Sequence, residues 1–220
     1  MTNETQTLVK ECSDMYRFLG GLYIMEVDKK QLIALKELSF PEIEPESDAD
    51  IDMAEGYKMV QNYVQEMTED DIDDLAADYA KTFLAAGDAT GKAAFPYESV
   101  YIDKKRHVGG SSELQMKALY LKRGFMSDPG VYRMPNDHIG LMLEYMAILC
   151  DEICEAIEKG DEESAREIQK EQLELLNTHI MNWMQQFLSD VEKYADYDFY
   201  RGVAKITRGF LTKGADGYGI

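Results

Sequence analysis

Apolar residues return along this chain at steps of three and four almost throughout, while the alternation of a half-buried strand almost never appears. Leu8, Cys12, Met15, Leu19, Leu22 and Tyr23 mark a first helix, in which the Gly20-Gly21 pair allows a close helix contact or a kink. Leu32, Leu35 and Leu38 mark a short second helix ending before Pro41. An acidic linker with Pro45 follows, then a helix carrying Met59, Tyr63 and Met67. Thr68 with Asp71 resembles a capping box, opening a helix through Leu75, Tyr79, Phe83 and Leu84 that stops at Gly87. The period fails between Gly87 and Pro96, and Tyr97-Glu98-Ser99-Val100-Tyr101 reads as a structured loop. Helical spacing resumes at Ser111-Ser112 through Leu114, Ala118, Leu121 and Phe125. It returns from Ile139 to about Lys159, and after the Gly160-Asp161 break through Ile168, Leu173 and Leu176. His179, Trp183 and Phe187 step by four along the next helix, and Phe199, Val203, Ile206 and Phe210 along the last. The pattern predicts an all-α fold of about nine helices, one bundle-like domain over residues 1–220.

One helix stands apart. From Ile139 to Cys150 only Gly140 and Glu144 are not hydrophobic, so this helix is apolar on nearly every side and belongs in the middle of the molecule. Met134-Pro135-Asn136-Asp137-His138 leads into it, which sets an acid and a histidine at a core boundary. Glu144 lies seven residues after Asp137, nearly two turns, which predicts a polar track on one face running from Glu144 towards Asp137 and His138. The structural alternative is that Asp137 or Asn136 only caps the helix.

Charge narrows the partners. The formal net charge is −19, from 42 acidic and 23 basic residues, and the stretch from Glu42 to Asp78 holds fourteen acids against the single base Lys58. Such a field repels nucleic-acid phosphates and anionic lipid and steers cationic ligands inward, although acids of this kind also simply keep a protein soluble. The polar N-terminus has no basic-then-apolar signal, and no apolar run approaches the roughly 18 residues needed to cross a bilayer, so a cytoplasmic location is expected. Three cysteines give no disulfide framework. Cys150 and Cys154, one turn apart, read as core residues because nothing completes a zinc site.

Tests for enzymatic motifs are negative. Gly87-Asp88-Ala89-Thr90-Gly91-Lys92-Ala93 has too few residues between its glycines for a phosphate loop, and Ala93 where a hydroxyl is needed. No GxSxG, HExxH or GxGxxG occurs. A hydrolase using Asp137-His138 and a helical adaptor for an unrelated partner are the alternatives that these residues leave open.

Four ordered blocks carry a resemblance: Tyr97-Glu98-Ser99-Val100-Tyr101; Pro135-Asn136-Asp137-His138-Ile139 with Glu144; His179-Ile180 with Trp183 and Phe187; and Phe199-Tyr200 with Val203-Ala204, Ile206-Thr207 and Phe210-Leu211. Between about Pro96 and Leu211 the chain resembles the TorD/DmsD family of cytoplasmic chaperones for molybdenum-cofactor oxidoreductases. It departs from that pattern in Met134, where an acid commonly precedes the proline, and in Gln185, which replaces a proline. The resemblance implies an all-helical, non-enzymatic protein without a cofactor of its own. Such a protein binds the twin-arginine signal peptide and catalytic subunit of a molybdopterin oxidoreductase, delaying export until maturation. It points to Tyr97, Glu98, Ser99, Tyr101, Pro135, Asp137, His138 and Glu144 as peptide-binding residues. Carboxylates beside an apolar groove suit such a peptide: Asp137 and Glu98 would accept guanidinium groups, and Tyr97, Tyr101, Leu141 and Tyr145 would receive apolar residues. Trp183 and Phe187 are expected in the core, and His107 and His179 have no assigned role. A hinge at 126–135 between N- and C-terminal halves, with a monomer and a domain-swapped dimer, is the expected assembly.

Overall fold

The computed structural model describes residues 3–87, 91–103, 106–125 and 134–215. These are helical with no strand among the described residues, as the spacing predicts. In chain order the helices are α1 (Asn3–Ile24), α2 (Lys29–Glu37), α3 (Asp48–Glu66), α4 (Ile72–Leu84), α5 (Glu98–Ile102), α6 (Ser111–Lys122), α7 (Ile139–Glu158), α8 (Glu162–Leu175), α9 (Met181–Tyr194) and α10 (Asp198–Ala215). A π-helical turn, Leu176–Ile180, joins α8 to α9 without a break. No helix of the described residues is long and apolar enough to cross a membrane. Of the described residues, those within 3–24 and 96–183 form one compact unit and those within 25–95 and 184–215 another. The expected hinge at 126–135 lies outside the described residues except for Met134 and Pro135, and part of the glycine-flanked stretch at 87–93 does so too.

The first unit is built on α1 and α7. Ile139, Leu141, Met142, Leu143, Tyr145, Met146 and Leu149 are all buried, so α7 is enclosed as its all-round apolarity requires. The approach of α1 is set by glycines. A β-carbon at Gly20 would lie 3.1 Å from the carbonyl oxygen of Gly140, and one at Gly140 would lie 2.5 Å from Ile24 Cγ1. A β-carbon at Gly140 would force a neighbour to shift and one at Gly20 would be tight, while a β-carbon at Gly21 would meet nothing. On α8, Gln172 Nε2 donates to the Met146 carbonyl (3.1 Å) and contacts Cys150 Sγ (3.0 Å), tying α8 to α7. Cys150 and Cys12 are buried, and burial pushes both thiols up to about 12.

The second unit repeats the device with α3 and α10. A β-carbon at Gly56 would lie 2.6 Å from the Gly202 carbonyl oxygen, and one at Gly209 only 2.3 Å from that of Ala49. Acids of α3 are matched by bases of α10. Lys205 meets Glu55 (2.9 Å) and Asp52 (3.7 Å), Arg208 meets Asp52 (3.3 Å), and Lys213 meets Asp50 (2.6 Å). Part of the acidic stretch is therefore structural pairing. The helix α3 begins at Asp48, with Ser47 as its cap, well before the Met59 at which the spacing makes it visible.

The capping box expected at Thr68 is present, with Thr68 N and Oγ1 each 2.7 Å from Asp71 Oδ2. It opens a single 3₁₀ turn, Glu69–Asp71, that runs into α4. α4 ends at Leu84 rather than at Gly87, because Ala85 takes the left-handed conformation (φ 56°) and Ala86 N closes back on the Ala80 carbonyl at 3.0 Å.

Candidate functional site

Two chain segments that precede helices meet in the first unit. Tyr97 and His138 form an isolated antiparallel bridge, with Glu98 N donating to the Asp137 carbonyl (3.1 Å) and Ile139 N to the Pro96 carbonyl (2.9 Å). The bridge sets the N-termini of α5 and α7 side by side. It also corrects the expectation of a loop: one helical turn, Glu98–Ile102, forms here because its first amides find acceptors across the bridge. The segment 135–138 is itself a turn, His138 N donating to the Pro135 carbonyl at 3.2 Å.

Each polar residue of this turn then has a defined task. His138, and neither Asp137 nor Asn136, is the N-cap of α7, its Nδ1 accepting from Gly140 N at 3.0 Å. That bond leaves the ring proton on Nε2. Burial drives the imidazole down to about 3, so it is neutral across the physiological range. Asn136 turns away, its side chain donating to Glu113 (2.8 Å) and its carbonyl accepting from Tyr120 Oη (3.0 Å). Asp137 serves the neighbouring helix: Oδ2 accepts from Ser99 N at 2.9 Å, within the first turn of α5. Its other oxygen, Oδ1, is buried and has no hydrogen-bond partner, although the residue is 0% exposed. A buried acceptor without a donor costs free energy and marks a place where a donor is wanted.

A second buried carboxylate lies one residue before Ser99. Glu98 is 1% exposed, with Oε2 3.0 Å from His179 Nδ1 and Oε1 3.5 Å from Asn182 Nδ2. In this pair Nδ1 of His179 is assigned as the donor and the Glu98 carboxyl group as the acceptor. His179 sits on the π-helical turn, and its carbonyl accepts from Trp183 Nε1 at 2.6 Å. Trp183 is buried as expected and also stacks on Tyr101, with centroids 5.3 Å apart and planes 25° apart. Tyr97, half-buried, meets the His138 ring edge-on at 5.1 Å, and its phenol is raised by burial and then by the charge of Asp137. Ser99 Oγ accepts from Gly109 N at 3.0 Å.

The structure thus brings Tyr97, Glu98, Ser99, Tyr101, Pro135, Asp137 and His138 together and sends the rest elsewhere. Leu141 is enclosed at 1% exposure, and buried Tyr145 directs its hydroxyl to Glu171 and the Leu119 carbonyl, both 3.3 Å away. Neither offers a surface to an apolar ligand. Glu144 faces Gly20, whose added β-carbon would lie 3.4 Å from Oε1; burial raises this carboxyl, and Arg17 opposes the rise. The expected track from Glu144 to Asp137 is not continuous. Asp137 precedes the helix cap, so the helical period that would put them on one face does not extend to it. His179 and Asn182 are the residues that sequence reasoning left out. Their three-residue spacing on one helix face is visible, but the carboxylate they address is 81 residues away from His179. Asp137 and His138 share no side-chain hydrogen bond: Asp137 Oδ2 accepts from Ser99 N, its Oδ1 has no partner, and His138 Nδ1 accepts from Gly140 N.

Comparison with known proteins gives a consistent picture. A family model described as nitrate reductase delta subunit matches residues 46–189. The chain is 26% identical over 216 residues to chaperone protein TorD of Shewanella pealeana, spanning 93% of this chain and 88% of that protein. It is 28% identical over 209 residues to chaperone protein YcdY of Escherichia coli K12, 91% of each. A solved structure from Archaeoglobus fulgidus, described as that of a candidate redox enzyme maturation protein, is similar in fold with a TM-score of 0.55 at 21% identity, covering 92% of this chain and 94% of that one.

Proposed function

Starting from the fact that this chain belongs to the nitrate reductase delta subunit family, TorD-like in its relatives, we propose that it is a redox enzyme maturation chaperone that binds a twin-arginine signal peptide at the Tyr97–His138 bridge. The observation that carries the site assignment is the buried, unpartnered Oδ1 of Asp137 beside half-buried Tyr97, with half-buried Tyr101 one turn along α5 from Glu98. A guanidinium supplies the missing donor with charge assistance, and the aromatic side chains suit the apolar residues of such a peptide. Because Asp137 is enclosed, entry requires a covering group to move, and Tyr97 beside it is, like Pro135 and Asn136, only half-buried. The net charge of −19 favours approach of a cationic segment from solution.

The same reading has the protein act in the cytoplasm on the precursor of a molybdopterin oxidoreductase, holding back export while the cofactor is loaded. It includes a monomer in slow exchange with a swapped dimer about 126–135, which light scattering on separated species tests. The signal-peptide assignment is tested by calorimetric titration with a synthetic peptide carrying two consecutive arginines and an apolar segment. Asp137→Asn keeps an acceptor for Ser99 N but replaces the open oxygen or its charge. Affinity is expected to fall on the order of tenfold or more with helical content unchanged. Wild-type affinity in that variant removes Asp137 from the site.

A further inference from the structure

The two buried carboxylates of the site are in unequal states. Asp137 has an acceptor oxygen that no group satisfies, whereas both oxygens of Glu98 are met, by His179 at 3.0 Å and Asn182 at 3.5 Å. Bringing a guanidinium to Asp137 therefore converts an unmet acceptor into a charge-assisted bond. Bringing one to Glu98 only exchanges one donor for another, and leaves the displaced imidazole to find a partner in a site where His179 is largely covered. Resting on the twin-arginine reading above, we infer that the site reads one arginine of the pair, at Asp137, and that His179 and Asn182 set this count by holding Glu98 out of use. They are specificity-determining residues that act through Glu98.

The local structure is arranged to keep them there. The π-helical turn Leu176–Ile180 presents His179 to Glu98, and Asn182 three residues on reaches the same carboxylate. Asn182 Nδ2 also donates to the Thr178 carbonyl at 2.7 Å, and the Trp183 indole holds the His179 carbonyl. Trp183 in turn stacks on Tyr101, one turn after Glu98 on α5. A π-turn inside a helix is a costly local geometry that commonly serves a site, and here it fixes the donor that neutralises the need of one carboxylate but not of the other.

Calorimetry with four peptides tests this: both arginines present, either one replaced by alanine, and both replaced. With the wild-type protein, losing one particular arginine is expected to weaken binding on the order of tenfold to a hundredfold, and losing the other less than about threefold. Asp137→Asn should erase that asymmetry. His179→Ala uncovers Glu98, so the second arginine should come to matter by about tenfold or more, while His179→Gln, which still offers Glu98 a donor, keeps the wild-type pattern. Circular dichroism accompanies each variant. If His179→Ala does not fold, Asn182→Ala, which frees only the more weakly held oxygen, takes its place with the same expected direction. Equal large losses for either arginine in the wild type, or an unchanged pattern in the variant that uncovers Glu98, overturn the inference while the twin-arginine reading stands. If neither arginine counts, that reading fails and this one falls with it.

Discussion

Asp78 and Asp137 are both aspartates at 1% exposure or less, one in each compact unit, and they are opposites in how their oxygens are used. Asp78, on α4, accepts from Asp196 N (2.8 Å), Tyr197 N (3.1 Å) and Thr82 Oγ1 (3.2 Å), which satisfies the backbone just before α10. Asp137 accepts from Ser99 N alone and leaves Oδ1 without a donor. Burial by itself says nothing about function. The difference lies in whether the surrounding chain supplies every donor the carboxylate can use: where it does, the group holds two helices in place, and where it does not, an acceptor stays unmet.

Asp78 is where the contrast is easiest to break. Asp78→Ala leaves two backbone amides and a hydroxyl without their acceptor, and should lower stability by about 3–5 kcal/mol in urea denaturation. A loss below about 1 kcal/mol would mean that the carboxylate is not the structural member its bonds suggest.

Next come the glycines, which ask whether the two units rest on the same kind of contact. Gly56→Ala in α3 and Gly140→Ala in α7 each push a β-carbon to within 2.6 Å of a neighbouring heavy atom, so each should destabilise by about 1–3 kcal/mol. Gly21→Ala, with nothing nearby, should be neutral or stabilise by up to about 1 kcal/mol. Equal effects at Gly21 and Gly140 would remove the close approach of α1 and α7.

The buried imidazole beside Asp137 gives a pH signature. His138 lies near 3 when folded and near its ordinary 6.5 when unfolded, so between these values the unfolded state binds more protons. Stability therefore rises with pH in that window and falls as the solution is acidified, by about 2 kcal/mol from pH 6.5 to 5 for this group. His138→Asn retains a side-chain acceptor for the amide of Gly140 and should flatten that part of the profile. An unchanged acid slope in thermal melts would show that His138 is not the titrating group.

The smallest expected effect sharpens the comparison most. Asp137→Asn should change stability by less than about 1 kcal/mol, because its amide oxygen can still accept from Ser99 N. A stability loss as large as that of Asp78→Ala would make Asp137 a structural carboxylate after all.

Periodic spacing alone determined a good deal of this protein: the all-α class, the enclosure of α7, the capping box at Thr68 and the break at Gly160-Asp161. These are local, since helix period, cap chemistry and breakers act within a few residues and leave their mark in the order of the chain. The residues of the candidate site were legible as ordered blocks, but their tasks were not. That Asp137 caps α5 rather than α7, that Glu98 is held by His179 and Asn182, and that Glu144 parts company from Asp137 all depend on segments 38 to 84 residues apart or on where a helix begins. Hydrogen-bond satisfaction in a closed interior is a property of everything that surrounds a group, so only the tertiary structure could decide which of these acids was left wanting a donor.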